Sequence, residues 1–162
     1  MFTTQLMLAT FTRANPLSGE VVTTAAAASV GDANAAADAA GQAFEAWSQT
    51  GPGERRAKLL KAAELMEQRQ ADFIDRMVDE TGATLGWAGF NVKVAADVLR
   101  EAAALTTQIQ GDIIPSNVPD SIAMGVRIPC GVVVGVAPWN APIILGTRAI
   151  ATPLACGNSV IL

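Results

Sequence analysis

Apolar residues recur along this chain with two different periods, and the change from one to the other divides it. From Ser29 to about Gln49, Ala36, Ala40, Ala43, Phe44 and Trp47 fall on one face of a helix. Ser29-Val30-Gly31-Asp32 supplies a capping box at its start. Gly51-Pro52-Gly53 breaks the chain, and Glu54 to Gln70 resumes with Leu59, Leu60, Ala63 and Met66 facing inward. A third helix carries Phe73, Ile74, Met77 and Val78 and ends at Gly82. A fourth runs from about Trp87 to Gln108, with Val94, Val98, Leu105 and Ile109 at helical spacing and Gly111 as its stop. Ahead of these helices, Asn15-Pro16-Leu17-Ser18-Gly19-Glu20 reads as a turn between two β-like stretches, Leu6 to Thr12 and Val21 to Thr24.

After Gly111 the period shortens to two. Ile122, Met124, Val126 and Ile128 alternate with Ser121, Ala123, Gly125 and Arg127, which predicts a strand with one buried face. Pro129-Cys130-Gly131 turns the chain into Val132 to Ala137, a near-continuous run of β-branched and small residues. That is the pattern of a strand buried on both faces of a parallel sheet. Pro138, Asn140 and Pro142 end the run, Ile143 to Cys156 forms a helix, and Gly157 closes it as a left-handed cap. Asn158 to Leu162 begins a second apolar strand. The whole is one βαβ crossover, so the predicted class is α/β with helices packed on an incomplete parallel, Rossmann-like sheet. Chain termini are normally polar and exposed, so a sequence that stops inside an apolar strand is expected to be the front portion of a larger protein.

Composition sharpens this picture. Hydrophobic residues make up 51% of the 162 positions and charged residues only 16%. The chain is therefore apolar for a free-standing domain and is expected to meet further protein surface. A net charge of -4 argues against a nucleic-acid or anionic-membrane partner, which needs clustered Lys and Arg. The mixed charges of Glu54 to Arg76 read as solvated helix faces. Two cysteines, Cys130 and Cys156, give no disulfide framework, so a reducing, cytoplasmic location is expected. The start, MFTTQLMLATF, lacks the basic leader and cleavage site of a secretory signal. The apolar stretch from Val132 is not a membrane span, because Pro138, Asn140, Pro142, Arg148 and Pro153 interrupt it.

The chain contains no His, so a Ser-His-Asp or Cys-His nucleophile cannot be assembled within it. No cluster has metal-ligand spacing, and no glycine-rich phosphate loop follows the strand Val132 to Ala137. In its place stands Ala137-Pro138-Trp139-Asn140-Ala141-Pro142. Loops at the carboxyl edge of a parallel sheet are where such folds bind ligands. Two prolines fix backbone angles there, Trp139 supplies a flat apolar wall, and Asn140 displays a neutral amide. That amide suits an oxyanion donor and equally suits a cap for the following helix.

The PWN loop, a helix and then Pro153-Leu154-Ala155-Cys156-Gly157-Asn158 together resemble the aldehyde dehydrogenase superfamily. The resemblance extends back through Arg127-Ile128-Pro129-Cys130-Gly131-Val132-Val133, Gly111-Asp112-Ile113-Ile114-Pro115, the stretch WSQTGPGERRAKLL from Trp47, and Asn15 to Glu20. Gly86 to Pro115 looks like the bacterial aromatic-aldehyde branch, the salicylaldehyde and vanillin dehydrogenases. The resemblance implies oxidation of an aldehyde to the acid with NAD or NADP, NAD favoured, through a cysteine thiohemiacetal and thioester. It implies that Asn140 donates to the thiohemiacetal oxygen and that Val136, Ala137, Pro138 and Trp139 lie along the cofactor. Phe90, Val94, Ala141, Leu145 and Arg148 would line the aldehyde tunnel, with Arg148 either pairing with a ring hydroxyl or facing solvent.

Residues 1–120 would then be the amino-terminal ribbon and helices of the cofactor-binding domain. Residues 121–130 would be a strand of the ribbon through which such enzymes form homo-oligomers, and 131–162 the first βαβ unit of the sheet. By the same resemblance the ribose-holding lysine, the general-base glutamate and the nucleophilic cysteine come after Leu162. Cys130 and Cys156 match neither role and read as small core residues. The chain alone is expected to be inactive. The other class of function in view is a non-catalytic remnant or binding module that kept the front of the fold.

Overall fold

A computed structural model describes residues 9–162. The described residues run in the order β1 Thr10–Ala14, β2 Val21–Ala26, α1 Val30–Ser48, α2 Pro52–Gln68, α3 Gln70–Thr81 and α4 Leu85–Leu105. Then come β3 Asp112–Ile114, β4 Ala123–Gly125, β5 Val132–Val134, α5 Pro142–Ala155 and β6 Ser159–Ile161.

The turn between β1 and β2 is built by Asn15, whose Oδ1 accepts the N–H groups of Leu17 at 2.8 Å and Ser18 at 3.2 Å. The resulting antiparallel hairpin docks on α3 through Glu80. That carboxylate accepts Thr23 Oγ1–H at 2.6 Å and lies 3.2 Å from Arg13 Nε. The first expected strand began at Leu6; Leu6 to Leu8 lie outside the described residues, and pairing begins at Thr10.

Local signals set the helix ends. Ser29 Oγ accepts from Asp32 N at 3.2 Å while Asp32 Oδ2 accepts from Ser29 N at 2.8 Å, the reciprocal capping box. Pro52 occupies the first turn of α2, where its missing N–H costs nothing, and Gly82 ends α3 in the left-handed region.

Where α2, α4 and α5 meet, the sealed residues are Leu59, Ala63, Ala96, Leu99, Ala102, Ala103, Ala151 and Ala155. Alanine dominates this seam, and small side chains let helix axes approach closely. This corrects the inward faces expected from periodicity. On α4 the buried stripe runs through Ala88, Asn91, Val92 and Ala95, while Val94 and Val98 are only half-buried and Leu105 is exposed. The larger aliphatic side chains flank the seam because the closest approach selects the small ones. Leu60 on α2 and Ala36 and Ala43 on α1 are likewise exposed, whereas Arg55, unremarked in the sequence, is buried.

β5 and β6 pair in parallel, Val132 with Ser159, Val133 with Val160 and Val134 with Ile161. α5 connects them, which is the crossover expected. The left-handed closing residue is Gly157, at φ 85°; a Cβ there would also sit 3.0 Å from Pro129 Cγ. Gly135 is needed for a different reason. A Cβ at Gly135 would lie 2.9 Å from the Ala149 Cβ, so the strand end rests directly on α5.

Two strand expectations are corrected. β5 is three residues long, and Val132, Val134 and Val136 are exposed rather than sealed on both faces. Its sheet has two strands among the described residues, and α1 and α5 leave that alternate set of side chains uncovered. The strand read over Ser121 to Ile128 shortens to β4, paired with β3. Its apolar set is the outward one: Ile122, Met124, Val126 and Ile128 are each at least 65% exposed.

Three side chains tie the βαβ unit together across long sequence separations. Asn158 Oδ1 accepts the N–H groups of Cys130 at 2.6 Å and Gly131 at 3.1 Å, while its Nδ2–H donates to Pro153 O at 3.1 Å. Trp47 Nε1–H donates to Leu154 O at 3.1 Å, and Arg55 Nε–H donates to Ala155 O at 3.0 Å. The last carbonyls of α5 have no partner within the helix; Leu154 O and Pro153 O also accept the backbone N–H groups of Gly157 at 3.1 Å and Asn158 at 3.0 Å, and Arg55 supplies a donor to Ala155 O.

Candidate active site

The last ladder bond of the sheet runs from Gly135 N–H to Ile161 O at 2.7 Å. Beyond it the chain leaves the carboxyl edge of β5 and crosses to the start of α5 through Val136, Ala137, Pro138, Trp139 and Asn140. Val136 is 85% exposed and Trp139 75% exposed, so this segment presents both backbone and an apolar ring. Ala137, Pro138 and Trp139 form one wall of a cavity of about 440 Å³, with Phe73 and Met77 of α3 opposite. A flat, apolar, proline-stiffened edge at the end of a parallel strand fits a planar dinucleotide headgroup. Ala137, Pro138 and Trp139 line that cavity and Val136 is exposed just ahead of them, outside its lining; these are the residues that could hold the cofactor.

The two roles open to Asn140 separate here. The cap residue of α5 is Ala141, and no side chain caps that helix. Asn140 is instead fixed through its main chain, since its carbonyl accepts the indole N–H of Trp87 at 3.2 Å. The carboxamide is exposed and is left available to a ligand.

α4 and α5 run in the same direction. Trp87 meets Asn140 near their starts, and Leu105 shares a groove with Thr152 near their ends. Phe90 and Val94, four residues apart, lie on one face of α4; Ala141, Leu145 and Arg148 share one face of α5. Val94 and Arg148 line a common groove of about 570 Å³. Phe90 is half exposed and stacks on Trp87 with centroids 5.4 Å apart. Ala141 is buried at the helix start and Leu145 is half-buried, and neither borders that groove. Arg148 is exposed, with Asp97 and Glu101 on the opposite wall. Among the described residues Asp97 pairs with Lys93 and Arg100, and Arg148 forms no ion pair.

The cysteines depart from the core role expected of them: Cys130 is exposed and Cys156 half-buried. Both border a groove with Leu105 and Pro153 at the far end of α5. A helix of 14 residues separates that end from Asn140, about 20 Å at 1.5 Å per residue. Neither thiol is placed to share a reacting carbon with Asn140. No group of three or more His, Cys, Asp or Glu among the described residues could hold a metal ion, and no described helix is long and apolar enough to cross a membrane.

Trp87, Arg55 and Asn158 were missed in the sequence. The Gly157-Asn158 pair that follows α5 was the available signal for Asn158; Trp87 and Arg55 act on backbone carbonyls distant in sequence, which no local pattern reveals.

Residues 3–162 match the aldehyde dehydrogenase family along their length. The chain belongs to that family. It is 63% identical over 153 residues to a vanillin dehydrogenase of Pseudomonas sp. (strain HR199 / DSM 7063), a match covering 94% of this chain and 32% of the relative. Among solved structures, a salicylaldehyde dehydrogenase from Pseudomonas putida G7, crystallised with salicylaldehyde, superposes with a TM-score of 0.91 at 49% identity. That match covers 94% of this chain and 31% of the other. An NAD-dependent benzaldehyde dehydrogenase from Corynebacterium glutamicum superposes with a TM-score of 0.90 at 33% identity, covering 96% of this chain and 34% of the other. The chain thus spans about a third of the length of these aldehyde dehydrogenases and corresponds to their amino-terminal part.

Proposed function

We propose that this chain is the amino-terminal portion of an NAD(P)-dependent dehydrogenase that oxidises an aromatic aldehyde to its carboxylic acid. The observation that carries the reading is the Pro138-Trp139-Asn140 loop at the carboxyl edge of β5. Among the described residues its amide is neither a helix cap nor hydrogen-bonded to a neighbour, within a family of aldehyde dehydrogenases.

When a thiolate adds to an aldehyde, charge develops on the former carbonyl oxygen. Asn140 offers Nδ2–H to that oxygen. A neutral donor on a stiff loop stabilises the developing charge without holding the uncharged aldehyde as strongly, which is what lowers a barrier. The thiolate and the water-activating carboxylate are supplied by residues outside this chain. Val136 to Trp139 provide the apolar edge for the nicotinamide cofactor, NAD favoured over NADP, which supplies the hydride acceptor. Val94 and Arg148 border the aldehyde from the groove they share, with Phe90 one turn earlier on the same face of α4. A guanidinium without an ion pair among the described residues, in a groove that also carries Val94, Val98 and Leu105, suits a ring hydroxyl or phenolate.

The exposed Ile122, Met124, Val126 and Ile128 of the β3–β4 ribbon form a surface of the kind that a second copy covers, so a homo-oligomer is proposed for the intact enzyme. Residues 121–130 supply that ribbon strand, 1–120 the preceding ribbon and helices, and 131–162 the first crossover of the cofactor sheet. A cytoplasmic location is part of the proposal, in keeping with two cysteines that form no disulfide. The reading is tested by the full-length gene product with hydroxylated and unsubstituted benzaldehydes and each cofactor. Acid formation coupled to cofactor reduction, faster with the hydroxylated series, supports it; inertness toward both series refutes it.

A further inference from the structure

We propose that Trp87 is a positioning residue for Asn140, setting the direction in which the amide is presented. The inference rests on the reading of Asn140 as an oxyanion donor.

Trp87 is held at three points. Its backbone N–H is accepted by Thr84 Oγ1 at 3.2 Å, the cap of α4. Its carbonyl accepts Nδ2–H of Asn91, a fully buried residue, at 3.0 Å. Its ring lies against Phe90 with centroids 5.4 Å apart and planes 17° from parallel. The indole N–H that emerges from this fixed base donates to Asn140 O at 3.2 Å. Asn140 needs such a fixed point, because it precedes the cap of α5 and lies outside both the β5–β6 ladder and the helix. A carbonyl held by a donor fixes the Asn140–Ala141 peptide plane and the Cα of Asn140 that lies in it, which restricts the directions in which that Cα can carry the amide. An oxyanion donor works only when aimed at where the charge appears. The contact therefore acts on the chemical step through Asn140 and leaves cofactor binding alone.

The experiment is a double-mutant cycle in the full-length enzyme with Trp87→Phe and Asn140→Ala. Phenylalanine keeps an aromatic ring over Phe90 and removes the N–H donor together with the pyrrole part of the indole, at a position 43% exposed. Trp87→Phe is expected to lower kcat about five- to tenfold, with the cofactor KM unchanged, and to have no further effect once Asn140 is alanine. Should Trp87→Phe fail to fold, Thr84→Ala removes the hydroxyl that accepts the Trp87 backbone N–H and is expected to follow the same pattern with a smaller loss. If Asn140→Ala slows the enzyme while the effect of Trp87→Phe persists undiminished beside it, or is absent in the native background, the positioning role is overturned and the donor role stands. If Asn140→Ala turns over normally, both are overturned.

Discussion

The guanidinium of Arg55 donates Nε–H to the carbonyl of Ala155 at 3.0 Å, joining residues a hundred positions apart. The same group donates to the carbonyl of Thr50. It thus fastens the start of α2 to the last turn of α5, where the helix dipole favours a cation. Because α5 carries the Asn140 loop at its other end, this contact fixes the frame on which the site is built.

Replacing Arg55 with Leu removes the donor from the carbonyl of Ala155 in a buried place and from the carbonyl of Thr50 in a half-buried one. The expected cost is about 1–3 kcal/mol, read as a lower urea midpoint of the full-length protein. Arg55→Lys keeps the charge but loses the fork geometry and is expected to fall between the two. An unchanged midpoint in Arg55→Leu would show that the contact contributes nothing.

Asn140→Ala removes the proposed oxyanion donor. Turnover is expected to fall by about 10²–10³-fold, with little change in the thermal midpoint, since the side chain is exposed and caps nothing. Steady-state kinetics against a denaturation scan separates the two effects, and near-normal turnover would dismiss the donor.

Arg148→Leu tests recognition of the ring. Loss of a charge-assisted hydrogen bond should reduce kcat/KM for hydroxylated benzaldehydes about tenfold or more, while unsubstituted benzaldehyde is little affected. Equal losses on both would return Arg148 to a solvent-facing role beside Asp97 and Glu101.

Much of this was legible in the chain. The capping box at Ser29–Asp32, the Gly82 stop and the crossover from Val132 through α5 to Val160 all rest on local chemistry, and all formed. What was not legible depended on partners distant in sequence. Periodicity marked Val94, Val98 and Leu105 because they are large, but close approach of α4 to α2 and α5 selected alanines instead. The alternating Ile122 to Ile128 pattern announced a strand, of which Ala123–Gly125 pairs, and marked a face that no described residue of this chain covers; hydrophobicity says that a face is covered without saying by what. For Asn140 the sequence offered two roles; only the backbone at Ala141 decided against the cap.

Two surface carboxylates predict how stability responds to acid. The Ser29 backbone N–H, and then its hydroxyl, hold Asp32 below its ordinary 3.8. The hydrogen bond from Arg100 holds Glu67 below its ordinary 4.5. A lowered native value contributes stability that is fully present above the ordinary value and is lost as pH falls through the native one. Urea midpoints should therefore hold from neutrality to about pH 5 as far as these groups are concerned, and decline below that. Asp32→Asn should show a shallower decline. Identical acid limbs for the two proteins would contradict the assignment.

Exposed apolar surface sets the behaviour of residues 1–162 on their own. Val134, Val136, Ile113, Ile122 and Ile128 are all more than 65% exposed, and among the described residues β5 presents an unpaired edge. The isolated polypeptide should bind a hydrophobic dye and self-associate. A monomer with a sharp, reversible urea transition would contradict this.

The most direct test of the account compares the full-length gene product with residues 1–162, each given a hydroxylated benzaldehyde and NAD, by following formation of reduced cofactor. The account predicts turnover by the full-length product and none by the 162-residue chain, whose loop presents Asn140 but whose two thiols lie at the far end of α5. Turnover by residues 1–162 alone, or none by the full-length product, would contradict it.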